Sequence, residues 1–148
     1  MVLIKKPDNG ALFRDLRRPS DESICTTLEK LIPLADENEQ HRLINEFGTE
    51  LDRGYGLGWR MLAHYGAESV QLRLMRENGD KLDEKAVYPG EGWLLLSVYG
   101  TDAVRMELIR NHGDKLNLEN GSGWRNIKRN CSEAVGAELG LVRGSERR

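Results

Sequence analysis

Twenty-six residues from Gly58 to Asp83, GWRMLAHYGAESVQLRLMRENGDKLD, are matched without a gap by GWLLLSVYGTDAVRMELIRNHGDKLN from Gly92 to Asn117. Trp59 pairs with Trp93, Leu62 with Leu96, Tyr65 with Tyr99, Gly66 with Gly100, Val70 with Val104 and Leu74 with Leu108. A third copy opens at Gly123-Trp124 and carries Ile127, Cys131 and Val135 at the same positions. A weaker copy precedes all of them and ends in FGTELD, Phe47–Asp52. A period of 31 to 34 residues is the mark of a repeat architecture, and it fixes what the chain can fold into. A unit this short cannot bury its apolar face alone, so it must stack on its neighbours.

Within a copy the apolar residues follow helical periods. Trp59, Leu62 and Gly66 lie on one helical face, and Val104, Leu108 and Ile109 form a second stripe. Each unit therefore reads as two short helices and a loop. Gly66 and Gly100 end the first helix, with Cys131 in that place in the last copy. Arg105, Glu107 and Arg110 read as solvated. Gly48, Gly79 and Gly113 stand where a left-handed helix stop is wanted. The Gly/Asp/Asn-rich stretches that follow read as non-helical loops.

These readings predict an all-α single domain over 1–148, a short α-solenoid of about four helix-turn-helix-loop repeats. Residues 1–22 form an N-terminal arm or cap, and residues 23–52 a capping repeat. Repeats at 53–83 and 84–117 and a C-terminal capping repeat at 118–145 follow.

The period near 33, the Gly-Trp opening of the first helix, and NGDKLD, HGDKLN and FGTELD together resemble the ankyrin repeat. Those last segments look like the ankyrin sequence that closes the second helix and enters a hairpin loop. The resemblance spans about residues 23–145. It implies stacked helix pairs, loops projecting to one side, and protein binding along a concave face. The Thr-Pro-Leu-His hallmark is absent: Arg60-Met61-Leu62-Ala63 and Leu94-Leu95-Leu96-Ser97 stand there. The tetratricopeptide repeat shares the period and a Trp-x-x-Leu start. Its unit is nearly all helix, against which the Gly/Asp/Pro stretches here count.

Hydrophobic residues make up 39% of the chain and charged residues 31%, which suits an elongated, surface-rich protein and not a disordered one. The net charge is −2 and unevenly placed. Residues 1–18 hold five basic and two acidic residues, residues 19–53 three and nine, and residues 121–148 six and three. Such a chain is a poor general binder of nucleic acid. No apolar run approaches a membrane span, and the start lacks the order of a secretory signal. Cys25 and Cys131 suggest neither a disulfide framework nor zinc. A reducing, cytoplasmic setting is expected.

His41, His64 and His112 show no catalytic or metal spacing, and no cofactor is expected. Gly54-Tyr55-Gly56-Leu57-Gly58 is weak as a phosphate loop: no Lys-Ser/Thr follows, and Gly-Trp recurs without its other glycines. Trp59, Trp93 and Trp124 read either as a structural stack or as a row of exposed aromatics. Tyr55 and Tyr88 lie on loops and are candidates for partner contact. Arg125, Lys128 and Arg129 cluster on one helix and suit an acidic partner. Arg60, Lys81, Lys85 and Lys115 complete the candidate set.

The expected function is protein–protein interaction by surface occupation, as an adaptor or stoichiometric inhibitor of the immunity or antagonist type in a bacterium or phage. A nucleic-acid-binding solenoid using its basic ends and a small enzyme without a recognisable motif are the alternatives.

Overall fold

The computed structural model describes residues 9–17, 21–83 and 90–137. Among them every regular element is helical. Helix α1 is Gly10–Asp15, and α2 (Asp21–Leu31) runs into a 3₁₀ turn, Ile32–Leu34. Then come α3 (Glu37–Glu46), α4 (Gly48–Leu51), α5 (Arg53–Tyr65), α6 (Glu68–Glu77) and α7 (Gly79–Leu82). In the second half of the chain follow α8 (Glu91–Tyr99), α9 (Asp102–Asn111), α10 (Gly113–Leu116) and α11 (Leu118–Asn130). A last helical turn covers 133–137.

The first helices of successive units pack in sequence: α5 lies between α2 and α8, and α8 between α5 and α11. The second helices form their own rank, with α6 between α3 and α9. One core runs through both ranks. Leu28, Trp59, Trp93 and Trp124 fill it at one register, and Leu31, Leu62, Leu96 and Ile127 at the next. The tryptophans are 1–4% exposed, so they are the structural stack and not a surface row.

Helix α1 closes the N-terminal end of that core. Phe13 and Leu16 are buried, and the Phe13 ring lies 5.7 Å from Phe47. Arg17 and Arg42 rest on these rings. Asn9 Nδ2 reaches Glu39. Within 9–17 the arm is thus a cap over the first unit.

Two local expectations are overturned. Gly48-Thr49-Glu50-Leu51, Gly79-Asp80-Lys81-Leu82 and Gly113-Asp114-Lys115-Leu116 are one-turn helices, not loop. Their glycines are not left-handed. Each turn instead drives a leucine (Leu51, Leu82 or Leu116) completely into the core. Burying one such side chain is worth about 2 kcal/mol, enough to override a glycine's helix penalty of about 1 kcal/mol.

The loop glycines also differ from expectation, because two of them recur before every tryptophan. Gly56, Gly90 and Gly121, three residues ahead, take φ of 82°, 75° and 80°, a region closed to most side chains. Gly58, Gly92 and Gly123, one residue ahead, sit against the leucine of the preceding one-turn helix. A Cβ there would lie 2.8 Å, 2.9 Å and 2.8 Å from the Cα of Leu51, Leu82 and Leu116. The motif is Gly-x-Gly-Trp: one glycine turns the chain and the next lets the helix approach.

The indole nitrogens are satisfied in one repeated way. Trp59 Nε1–H donates to Asp52 at 2.7 Å, Trp93 to Asp83 at 2.7 Å and Trp124 to Asn117 at 2.6 Å. Asp52 also pairs with Lys81 at 2.9 Å, and Asp83 with Lys115 at 2.8 Å, each lysine coming from the next unit. Those lysines lie over Trp59 and Trp93, 5.9 Å and 5.7 Å from the ring centroids.

A second seam is made by three buried polar side chains. Gln40 Nε2 donates to the carbonyls of Ala35 and Tyr65. Gln71 Nε2 donates to those of Ala63 and Tyr99. Arg105 donates to the carbonyls of Ser97, Val98 and Asn130. Each ties the end of its own first helix to the end of the next. Arg105 is therefore buried, 8% exposed, against the expectation that it is solvated.

Two stability predictions follow from these seams. Asp83→Ala strands the Trp93 N–H and the Lys115 ammonium and is expected to cost about 1–3 kcal/mol. Asp83→Asn, copying Asn117, should cost visibly less. Gly92→Ala should cost about 1–3 kcal/mol through overpacking. Gly48→Ala, whose Cβ would meet nothing within 4 Å, should be neutral or slightly stabilising. Urea unfolding midpoints of the four variants check both.

Candidate functional site

Four large hydrophobic residues stand exposed among the described residues: Leu34 (54%), Tyr65 (45%), Tyr99 (48%) and Tyr55 (77%). The first three occupy one repeat position, the last turn of the first helix in units one to three. The equivalent residue of the fourth unit is Asn130. Tyr65 stands six residues after Trp59, about 240° around the helix, so the packing that buries the tryptophan turns the tyrosine outward.

The seam side chains hold these positions side by side. Gln40 Nε2 lies 3.2 Å from the Ala35 carbonyl oxygen and 3.3 Å from that of Tyr65. Gln71 does the same for Ala63 and Tyr99. The rings then join directly. His64 stacks on Tyr65, with centroids 3.9 Å apart, and on Tyr99, 3.7 Å apart. The result is a Tyr–His–Tyr stack spanning two units, with Leu34 next in line. Met61 and Leu95, half-buried on the same two helices, pack against the core. Burial lowers the His64 pKa from its ordinary value, which favours the uncharged imidazole in the stack.

The other candidates fall elsewhere. Tyr55 is the most exposed, on a left-handed backbone at φ 56°. Its carbonyl and that of Gly54 accept from Arg60. Arg125 closes the matching turn, donating to the Asn120 carbonyl at 2.6 Å and the Ser122 hydroxyl at 2.9 Å. Both guanidinium groups are thus engaged in turn closure. Lys81 and Lys115 are engaged in the Asp–Trp seam. Lys128 and Arg129 are exposed, and Arg129 occupies the position of His64 and Val98. Lys85 and Tyr88, with the rest of the AVYP insert, lie outside the described residues. The fold brings none of these candidates into the aromatic stack.

The stack itself was missed in the sequence, although Tyr65 and Tyr99 were visibly matched. The available signal was angular: an aromatic just before the helix-ending glycine, off the Trp–Leu face, in consecutive copies.

One polar chain outside the stack resembles catalytic machinery and is ordered the wrong way for it. Ser69 Oγ lies 3.0 Å from His41 Nε2, and Arg73 Nη1 lies 3.1 Å from His41 Nδ1. Arginine has only donors, so Nδ1 accepts, and Nε2 carries the proton of the neutral ring. Nε2 then donates to Ser69, whose hydroxyl donates to Glu37 at 2.7 Å. A serine nucleophile needs an imidazole that takes its proton; here the donors run from arginine to carboxylate. Among the described residues no group of three or more His, Cys, Asp or Glu is placed to hold a metal ion. Nor is any helix there long and apolar enough to cross a membrane.

In a proton NMR titration the His64 ring should titrate with a midpoint below 6.5, the ordinary value for a histidine. Tyr65→Ala/Tyr99→Ala should return that midpoint towards 6.5 by opening the ring to water. An unshifted wild-type midpoint would contradict the described packing. Comparison of the chain with protein-family models, with curated proteins and with solved structures returns no match.

Proposed function

We propose that the chain is a short α-solenoid, ankyrin-like in its stacking, that binds another protein through the ends of its first helices. It acts as an adaptor or stoichiometric inhibitor, by occupying a surface and without catalysing a reaction. The observation that carries this reading is the alignment of Leu34, Tyr65 and Tyr99 at one exposed register. Isolated surface hydrophobics are ordinary. Together these three expose on the order of 300 Å², a patch no larger than many monomers carry. What distinguishes them is recurrence. The core needs nothing at that position, since Asn130 fills it in the fourth unit. A half-exposed tyrosine held rigid by stacking is well suited to anchor a partner, because little ring freedom remains to be lost on binding.

In the fourth unit the ridge position is Asn130, and the exposed Arg129 beside it stands where His64 does, so the rank of helix ends is apolar in units one to three and polar in unit four.

Capture of proteins from the native host on immobilised wild-type chain should yield a discrete, saturable partner. Tyr65→Ala/Tyr99→Ala should weaken its retention by about ten-fold or more, with helical circular dichroism and urea midpoint near those of wild type. Retention of the same partner at wild-type strength by this variant overturns the reading.

A further inference from the structure

Each ridge residue is followed, three positions later, by a carboxylate. Leu34 is followed by Glu37, Tyr65 by Glu68 and Tyr99 by Asp102. All three acids are exposed, in the first turn of a second helix. A helix N-terminus accounts for an acid at that place. It does not account for an exposed apolar residue beside it in three successive units.

Among the described residues, little neutralises these acids. Glu37 accepts from the Ser69 hydroxyl at 2.7 Å, and Glu68 from the Thr101 hydroxyl at 2.5 Å. Asp102 has Arg105 at 4.0 Å, but that guanidinium already serves three backbone carbonyls. The Glu68–Thr101 bond also shows how close the two rows lie, since Thr101 stands two residues after Tyr99. Residues 19–53, with nine acids and three bases, extend the negative field along the first unit.

An apolar and aromatic row beside a carboxylate row matches one side chain above others. The guanidinium group is planar, stacks on aromatic faces and pairs with carboxylates. The chain already satisfies an arginine of its own in this way: Arg42 lies 4.3 Å from the Phe13 ring centroid and donates to Glu46 at 2.6 Å. We infer that the ridge takes an arginine-bearing segment of a partner protein, with guanidinium groups resting on Tyr65 and Tyr99 and pairing with Glu68 and Asp102. This rests on the protein-binding reading above and adds the chemistry of the partner.

The test is selection from a random peptide library displayed on phage, with the immobilised full-length chain as bait. The expected pool is enriched in arginine over lysine, alongside apolar residues. A synthetic peptide from that pool should lose about ten-fold in affinity on Tyr65→Ala/Tyr99→Ala and again on Glu68→Gln/Asp102→Asn. The second pair is near-isosteric and leaves the fold in place. Glu77→Gln, on the same helix as Glu68 but at its far end, should leave binding unchanged. A pool without preference for arginine overturns the inference, and so does failure to enrich any sequence. An acid-rich pool released by Lys128→Glu/Arg129→Glu also overturns it, while leaving protein binding by the chain intact.

Discussion

The carbonyl groups that end each first helix have no partner within that helix, and in this protein they are turned towards the inside of the molecule. Gln40, Gln71 and Arg105 satisfy them, and each does so for two helices at once. An unsatisfied buried carbonyl costs about 1–3 kcal/mol, so a unit without its neighbour loses both apolar cover and hydrogen bonds. That double requirement sets the spacing of the first helices. The spacing in turn lets Tyr99 reach across to His64 and makes a continuous ridge out of separate turns.

The units share this logic while differing in its chemistry. Glutamine serves the first two seams with two acceptors each, and arginine serves the third with three. Burying a guanidinium is costly unless its donors are taken up. Arg105 meets that condition, with its donors spread over the Ser97, Val98 and Asn130 carbonyls. In the fourth unit Gly136 stands at the same register, where no further first helix follows among the described residues.

Much of the packing was legible in the residues, and the reasons for the rest are specific. Trp59, Leu62 and Val70 recur, as the same or a similar apolar residue, at helical spacing in the second to fourth copies, so most of the core could be read from period alone. The one-turn helices could not. Gly79-Asp80-Lys81-Leu82 has the composition of a loop, and it is helical because Leu82 finds a slot between α5, α6 and α8. Arg105 was misread because the acceptors that bury it lie on other helices, one of them 25 residues further along the chain. The aromatic ridge was hidden for another reason: Tyr65 and Tyr99 are visibly matched, but their match alone does not say that the rings face outward. Arg60 and Arg125 were read as surface charge, and their role in closing left-handed turns depends on backbone angles that residue types alone do not reveal.

The ion pairs between successive units have a direction. Each aspartate reaches forward to a lysine in the unit that follows: Asp52 to Lys81, then Asp83 to Lys115. Before the first rung, Glu50 occupies the lysine position, and after the last, Asn117 occupies the aspartate position. The second unit therefore carries both a plug and a socket, Lys81 and Asp83, while the first and third carry one apiece. Growth in evolution by copying the second unit would preserve every pairing. A copy of the third unit would instead set the Asn117 carboxamide against a lysine, a rung with no charge pair, so these side chains mark which module can be repeated.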